Sequence, residues 1–214
     1  LALIIIRSGL PEARMAALGA GLVFFAGLTK AYWKLNVVLT GQDITWLANL
    51  LFPLMAPGFI ILAVGMWGAN RQRFGRPVSH GLWLLPLVLI GLTFAAAGYQ
   101  VAIAGVERGW FMPVMGLASL GNIGLTTILV AMAVRRQKWL MALLFVVNLG
   151  MVFALIPIAQ IEPKTIGLHW FEQTLTTAGS AAFALASVWL YRVLGEEAVP
   201  QIDLLPAVPS PQSR

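Results

Sequence analysis

The stretch WLMALLFVVNLGMVFALIPIAQ, residues 139–160, contains no charged side chain and decides the fold class of this protein. A hydrocarbon core about 30 Å thick is crossed by roughly 20 apolar residues in a helix. The run is long enough for that, and it lacks the alternation of polar and apolar residues that marks a strand of a membrane β-barrel. We therefore interpret it as a transmembrane helix.

Similar charge-free runs lie on both sides of this stretch, and the whole chain is 59% hydrophobic and only 10% charged, with a mean hydropathy of +0.85. This composition exceeds what a soluble domain keeps in water. The sequence predicts an all-α integral membrane protein, a bundle of about six transmembrane helices with short loops, in a single domain over residues 1–194. The predicted spans lie near residues 13–36, 46–69, 82–105, 111–134, 139–160 and 169–193.

The distribution of Lys and Arg predicts the orientation of the bundle, because cytoplasmic loops carry an excess of both. Of the 14 such residues, the outer side receives only Lys30, Lys34, Arg108 and Lys164. We therefore expect both termini in the cytoplasm, and we expect an integral protein of a bacterial cytoplasmic (inner) membrane. Anionic lipid headgroups are the expected partners of the basic loops. These loops lack the interleaved aromatic residues of a nucleic-acid surface, so we expect no nucleic acid.

The two ends of the chain differ from the rest. Residues 1–6 are apolar but too few to span a membrane, and they fit the end of an earlier helix, an interfacial anchor or the remnant of a processed segment. Residues 195–214 contain four prolines and three acidic residues and little that can pack. We predict that they form a flexible cytoplasmic tail.

Several kinds of chemistry are disfavoured by the composition. The chain has no cysteine, which excludes thiolate metal sites and iron–sulfur clusters. Its two histidines, His80 and His169, fall on opposite faces of the predicted bundle, so they do not share a haem or a metal ion. The common hydrolase and nucleotide-binding motifs are missing. We expect no cofactor, no metal and no catalytic residue.

Polar residues concentrate towards the predicted outer face, where polar groups at membrane depth favour a functional hypothesis. We predict that this set lines a ligand-binding pocket: Lys30, Asn49, Tyr99, Gln100, His169, Glu172 and Gln173. Lys30 is expected to pair with an acid, either Glu172 or Asp43. The alternative is structural, since Lys30 and Lys34 can snorkel to the interface and Glu172 suits the first turn of a helix.

Two asparagines, Asn122 and Asn148, fall near the predicted midplane of the membrane. Hydrogen bonding between helices is the common role of such residues, and the alternative is the floor of the predicted pocket. In the second span Pro53 and Pro57 each remove a backbone donor, so we expect a kinked helix there.

Small residues at four-residue spacing predict close helix packing, either inside the chain or on another membrane protein. The two stripes are Ala13, Ala17 and Gly21 in the first span and Ala178, Ala182 and Ala186 in the sixth.

Three functions remain open from the sequence. The first is binding or transport of a small polar solute through a site that opens to the outer face. The second is a non-catalytic subunit, assembly factor or sensor in a membrane complex. The third is a lipid-acting intramembrane enzyme that uses His169 and Glu172 as acid and base.

Overall fold

The structure is a computed structural model, and it describes residues 11–73, 75–159 and 166–196 of the 214-residue chain. Every regular element in these ranges is helical. The elements are α1 (Pro11–Thr40), α2 (Thr45–Asn49), α3 (Leu51–Arg73), a 3-10 turn (His80–Trp83), α4 (Leu84–Ala102), α5 (Phe111–Arg135), α6 (Trp139–Ala159) and α7 (Ile166–Glu196). Residues 1–6 and the segment 197–214 of the predicted tail lie outside the described residues.

The described part of the chain contains six helical segments that are long and apolar enough to cross a membrane. They are Glu12–Thr40, Thr45–Gln72, Gly81–Ala102, Phe111–Arg135, Trp139–Ile158 and Trp170–Gly195. The prediction of an all-helical chain with six such helices is confirmed, and each helix overlaps its predicted span with ends that differ by a few residues. This result supports an integral, multi-pass membrane protein.

The second span is interrupted between α2 and α3. The amide of Leu54 still bonds the carbonyl of Leu50 at 3.2 Å. Pro53 has no N–H to offer the carbonyl of Asn49, so the helical hydrogen bonding breaks at this turn. Pro57 lies inside α3 without ending it. The predicted kink of this span stays a prediction, while the interruption is located one turn before the first of its two prolines.

Glycines bring the helices into close contact. A Cβ atom added to Gly19 on α1 would lie 2.4 Å from the amide nitrogen of Leu62 on α3. A Cβ on Gly65 would lie 2.6 Å from the amide of Ala16, and one on Gly121 of α5 would lie 2.8 Å from the amide of Ile60. Because only glycine fits at these points, the backbones of α1 and α5 both approach α3 closely.

The helices form a series in which each packs on the next, in the order α1, α3, α5, α6 and α7, while α4 packs on α5 and α3. The small residues of α1 that are buried in this arrangement are Ala13, Ala16, Gly19 and Ala26. Ala17 and Gly21 are only half-buried, and a Cβ on Gly21 would meet no atom within 4 Å. In α7, Ala182 and Ala186 are buried within the chain and Ala178 is exposed. The chain itself therefore covers three members of the two predicted stripes.

Two apolar cores lie at opposite ends of the bundle. The larger core joins α1, α3, α5, α6 and α7, and it includes Met66, Leu129, Phe145 and Leu190. We call this the arginine end, because the arginines that follow α3 and end α5 lie beside it. The smaller core joins only α3, α4 and α5 around Ile60 and Leu117. We call that the opposite end.

At the opposite end, three helices contribute little to a core. The described side chains of residues 27–40 on α1, 149–158 on α6 and 167–178 on α7 include no buried one. Many of these residues are apolar, which suits contact with lipid. Threonine hydroxyls in these segments donate to their own helix, as Thr174 does to the carbonyl of Trp170 at 2.8 Å. These threonine hydroxyls therefore need no partner from another helix in the hydrocarbon.

Candidate functional site

A cavity of about 770 Å³ lies at the arginine end, between the last turns of α3 and α5. We call it the arginine cavity. Its lining residues are Trp67, Asn70, Arg71, Arg76, Ile128, Ala131, Met132, Arg135 and Arg136. Cavities of this size commonly hold small-molecule ligands. Among the described residues, four of the nine that line the cavity are arginines and none is acidic, so the cavity concentrates positive charge.

The end of α3 brings two of these arginines together. The amide of Arg76 donates to the carbonyl of Arg71 at 3.1 Å, and the amide of Gly75 donates to the carbonyl of Gln72 at 2.9 Å. This pair of bonds is a Schellman motif, and Gly75 supplies the left-handed residue with φ of +66°. Because the motif reverses the chain, Arg76 returns over the last turn of α3.

The end of α5 repeats the same device. The amide of Lys138 donates to the carbonyl of Ala133 at 3.0 Å, and the amide of Gln137 donates to the carbonyl of Val134 at 2.8 Å. Here the left-handed position is held by Gln137, with φ of +57°. A side chain in this conformation costs roughly 1–2 kcal/mol. The α5–α6 turn has this conformation despite its cost, and Arg135 and Arg136, which directly precede Gln137, line the cavity.

Individual contacts orient the guanidinium groups. The guanidinium carbon of Arg71 lies 5.0 Å from the centre of the Trp67 ring, which is a cation–π arrangement. One guanidinium nitrogen of Arg136 donates to the carbonyl of Met132 at 3.0 Å. Both side chains are thereby held by neighbours that also line the cavity.

Some polar atoms in this region are buried without a hydrogen-bond partner. They include Nε of Arg71 and Oδ1 of Asn70, both from lining residues. A buried donor or acceptor with no partner costs about 1–3 kcal/mol. Both atoms are shielded from solvent, so a ligand in the cavity reaches them only after these side chains rotate.

Glu12 carries a further buried and unpartnered atom, Oε2, at the arginine end. Its side chain packs on Gly68, where an added Cβ would lie 2.9 Å from its Cγ. Glu12 is not among the residues that line the cavity. The lining therefore retains its positive charge.

The chemistry of the lining residues favours binding over catalysis. Arginine stays protonated in proteins, so the four guanidinium groups do not transfer protons. The remaining lining residues provide an amide, an indole and apolar side chains, none of which is a nucleophile. Among the described residues, no three His, Cys, Asp or Glu side chains meet in a way that would hold a metal ion.

The sequence-predicted pocket residues lie at the opposite end, and the structure brings two of its helices together there. Nζ of Lys34 on α1 donates to Oε1 of Gln173 on α7 at 3.4 Å. Nζ of Lys30 lies 4.0 Å from the centre of the Trp33 ring, and Trp33 donates to Asp43 at 2.7 Å. This contact links the end of α1 to the start of α7 only through the ends of two long, exposed side chains.

The pairing of Lys30 with Glu172 stays a prediction. Glu172 is half-buried on α7 and immediately precedes Gln173 in the chain. The side chain of His169 lies outside the described part of the structure. The use of His169 and Glu172 as the acid and base of an enzyme therefore stays a prediction.

The other three predicted pocket residues lie on α4 and α2. Tyr99 is exposed on α4, and Gln100 packs on the α4–α5 loop, where a Cβ added to Gly109 would lie 2.8 Å from its Cβ. Asn49 is exposed at the end of α2. Helix α4 packs on α5 and α3, whereas Lys34 and Gln173 belong to α1 and α7. Their union in a single pocket stays a prediction.

The two midplane asparagines are buried, with 6% of Asn122 and 9% of Asn148 exposed. Asn148 faces α7, because a Cβ added to Gly179 would lie 3.4 Å from its Oδ1. Thr126, one turn beyond Asn122, is also buried, and its hydroxyl has no hydrogen-bond partner. Neither asparagine lines the arginine cavity.

Sequence reasoning used the cavity arginines only to orient the bundle and did not identify them as a site. The available signal was the pair of arginine groups that follow the second and fourth spans. To join them into one site requires the knowledge that α3 and α5 are neighbours. That adjacency depends on the fit of Gly121 against Ile60.

No protein-family model matches this chain, and no curated protein or solved structure is significantly similar to it.

Proposed function

We propose that this multi-pass membrane protein binds an oxyanion, a ligand that carries a phosphate or carboxylate group, in the arginine cavity. The observation that carries the proposal is that four arginines and no acidic residue line one cavity, as far as the described part of the chain shows. Planar guanidinium groups bind such groups through paired hydrogen bonds. The orientation predicted from the positive charges places the cavity on the cytoplasmic side.

The state of the cavity residues supports this role. Arg71 is held against the Trp67 ring, so part of its ordering precedes binding. Binding that needs little new ordering loses less free energy to side-chain entropy.

The test is thermal unfolding of the purified full chain in a neutral detergent, with inorganic pyrophosphate or phosphatidylglycerol as probes. Chloride at equal ionic strength and phosphatidylcholine are the corresponding blanks. A probe at ten times its Kd is expected to add about 1.4 kcal/mol to the free energy of unfolding. The double variant Arg71→Gln and Arg135→Gln is expected to lose this stabilisation.

The matched control is the double variant Arg14→Gln and Arg192→Gln, which removes the same charge from exposed positions outside the cavity. It is expected to respond to the probes as the unsubstituted protein does. If neither probe stabilises the unsubstituted protein more than the Arg71 and Arg135 variant, the proposal is wrong.

A second candidate function is binding or transport of a small polar solute at the opposite end. Two observations favour it. Lys34 and Gln173 join the ends of α1 and α7, and the neighbouring halves of α1, α6 and α7 contribute no buried side chain among those described. In carriers, substrate sites lie at the interface between groups of transmembrane helices.

A further inference from the structure

We infer that the ligand of the arginine cavity is an anionic phospholipid, whose phosphate binds the arginines and whose acyl chain lies on the cavity wall formed by α5. This inference rests on the proposed function and names its ligand class. It follows from the way in which polar and apolar residues are divided along the cavity.

The polar part of the lining is confined to one level of the bundle. Arg71 and Asn70 are in the last turn of α3, Arg76 follows it, and Arg135 and Arg136 end α5. In a bilayer these helix ends lie at the headgroup region. Trp67, which is 41% exposed, lies one turn deeper on α3 and suits the boundary between headgroups and acyl chains.

The deeper part of the lining is apolar. Ile128, Ala131 and Met132 line the cavity on α5, and Ile128 precedes Arg135 by two turns, or about 10 Å along the helix axis. A hydrated solute gains nothing from such a wall, whereas an acyl chain does. A cavity of about 770 Å³ also exceeds the space that a single phosphate group needs.

The cavity wall is open along the membrane-spanning part of α5. Ala131 and Arg135 are exposed, and both lie within the fourth membrane-spanning helix. A surface at this depth faces lipid unless another chain covers it. A phospholipid can therefore enter from the bilayer, with its headgroup already at the level of the arginines. Basic pockets between helices on the cytoplasmic side are a known type of site for anionic headgroups.

The test is native mass spectrometry of the full chain in a neutral detergent. Phosphatidylglycerol, phosphatidylcholine with the same acyl chains, and inorganic pyrophosphate are titrated separately. We expect one molecule of phosphatidylglycerol to bind at least tenfold more tightly than phosphatidylcholine. The Arg71→Gln and Arg135→Gln variant is expected to lose at least tenfold in affinity, because each charged hydrogen bond contributes enough for about that factor.

Two comparisons separate this inference from general attraction and from the broader proposal. If the Arg14→Gln and Arg192→Gln control loses as much affinity as the cavity variant, binding is not specific to the cavity and the inference is overturned. If pyrophosphate binds as tightly as phosphatidylglycerol and depends on Arg71 and Arg135, the proposed function stands and the lipid inference is overturned. If no probe depends on these two arginines, both fail.

A separate variant tests the acyl-chain contact. Ala131→Phe places a larger side chain at an exposed position of the cavity wall, so the fold is expected to persist. Affinity for phosphatidylglycerol is expected to fall about tenfold, which corresponds to the loss of about two methylene contacts. An unchanged affinity for phosphatidylglycerol would remove the acyl chain from this wall.

Discussion

Replacement of Gly19 by alanine is expected to separate α1 from α3. The new Cβ would lie 2.4 Å from the amide nitrogen of Leu62 and 2.7 Å from the carbonyl oxygen of Gly58. Ordinary van der Waals contact begins at 3.4 Å, so α1 must move by about 1 Å. Both contacted atoms belong to the backbone of α3, and no side-chain rotation relieves the overlap.

The size of the effect follows from two opposing terms. Overpacking at a tight contact costs about 1–3 kcal/mol. Alanine is favoured over glycine inside a helix by about 1 kcal/mol, which offsets part of that cost. We expect the Gly19→Ala variant to be less stable than the unsubstituted protein by up to about 2 kcal/mol, which is the difference of these terms.

Gly21→Ala is the matched control. It lies on the same helix, carries the same gain in helix propensity and would meet no atom within 4 Å. The difference between the two variants therefore isolates the contact with α3. The measurement is unfolding of the purified full chain by dodecyl sulfate in mixed micelles, followed by tryptophan fluorescence. Equal unfolding midpoints for the two variants would refute the close approach of α1 to α3.

Three further predictions follow from the structure. Gln137→Gly is expected to raise the free energy of unfolding by roughly 1 kcal/mol, because glycine holds the left-handed conformation without steric cost; an unchanged midpoint in the same assay would contradict this. A double variant with Lys34→Cys and Gln173→Cys is expected to be crosslinked by a flexible bifunctional thiol reagent in an otherwise cysteine-free chain, because the contact is made by the ends of two long side chains; failure to crosslink would separate the ends of α1 and α7. Single cysteines at Gln42 and Ser79 are expected to react with an impermeant thiol reagent from the outside and the inside of the membrane respectively, and the reverse pattern would invert the predicted orientation.

The number and extent of the membrane-spanning helices are readable from the sequence because each depends only on local composition. The run at residues 139–160 became α6, which ends at Ala159. The interruption of the second span was less predictable in its position. Pro53 and Pro57 are one helical turn apart, and either could interrupt the span. Only the structure shows that the helical hydrogen bonding breaks ahead of Pro53 and that α3 continues through Pro57.

The packing face of α1 illustrates where a sequence pattern loses precision. A four-residue spacing selects Ala13, Ala17 and Gly21. The small residues of α1 that are buried are instead Ala13, Ala16, Gly19 and Ala26. An α-helix has 3.6 residues per turn, so a stripe at exact four-residue spacing drifts around its axis. The face that packs is decided by the groove that α3 offers.

The candidate site shows the same division on a larger scale. The sequence identified polar residues of the opposite end by their depth, and the structure joined only Lys34 and Gln173 through a direct contact. The arginine cavity was not predicted, because its members come from two spans that are separated by a third. Nothing in the local pattern of α3 or α5 indicates that these helices are neighbours.

The sequence by itself determined the six apolar helices of the described residues and the predicted side of the membrane on which most of the Lys and Arg residues lie. Both properties follow from the free energy of transferring each segment from water to lipid, which depends only on the residues of that segment and its flanking loops. The tertiary structure decided which helices are neighbours and hence that Arg71 and Arg135 line one cavity. All six helices are apolar enough to cross a membrane, and lipid contact alone does not select their partners. Neighbours are selected by close backbone fit at a few glycines, which depends on two helices at once.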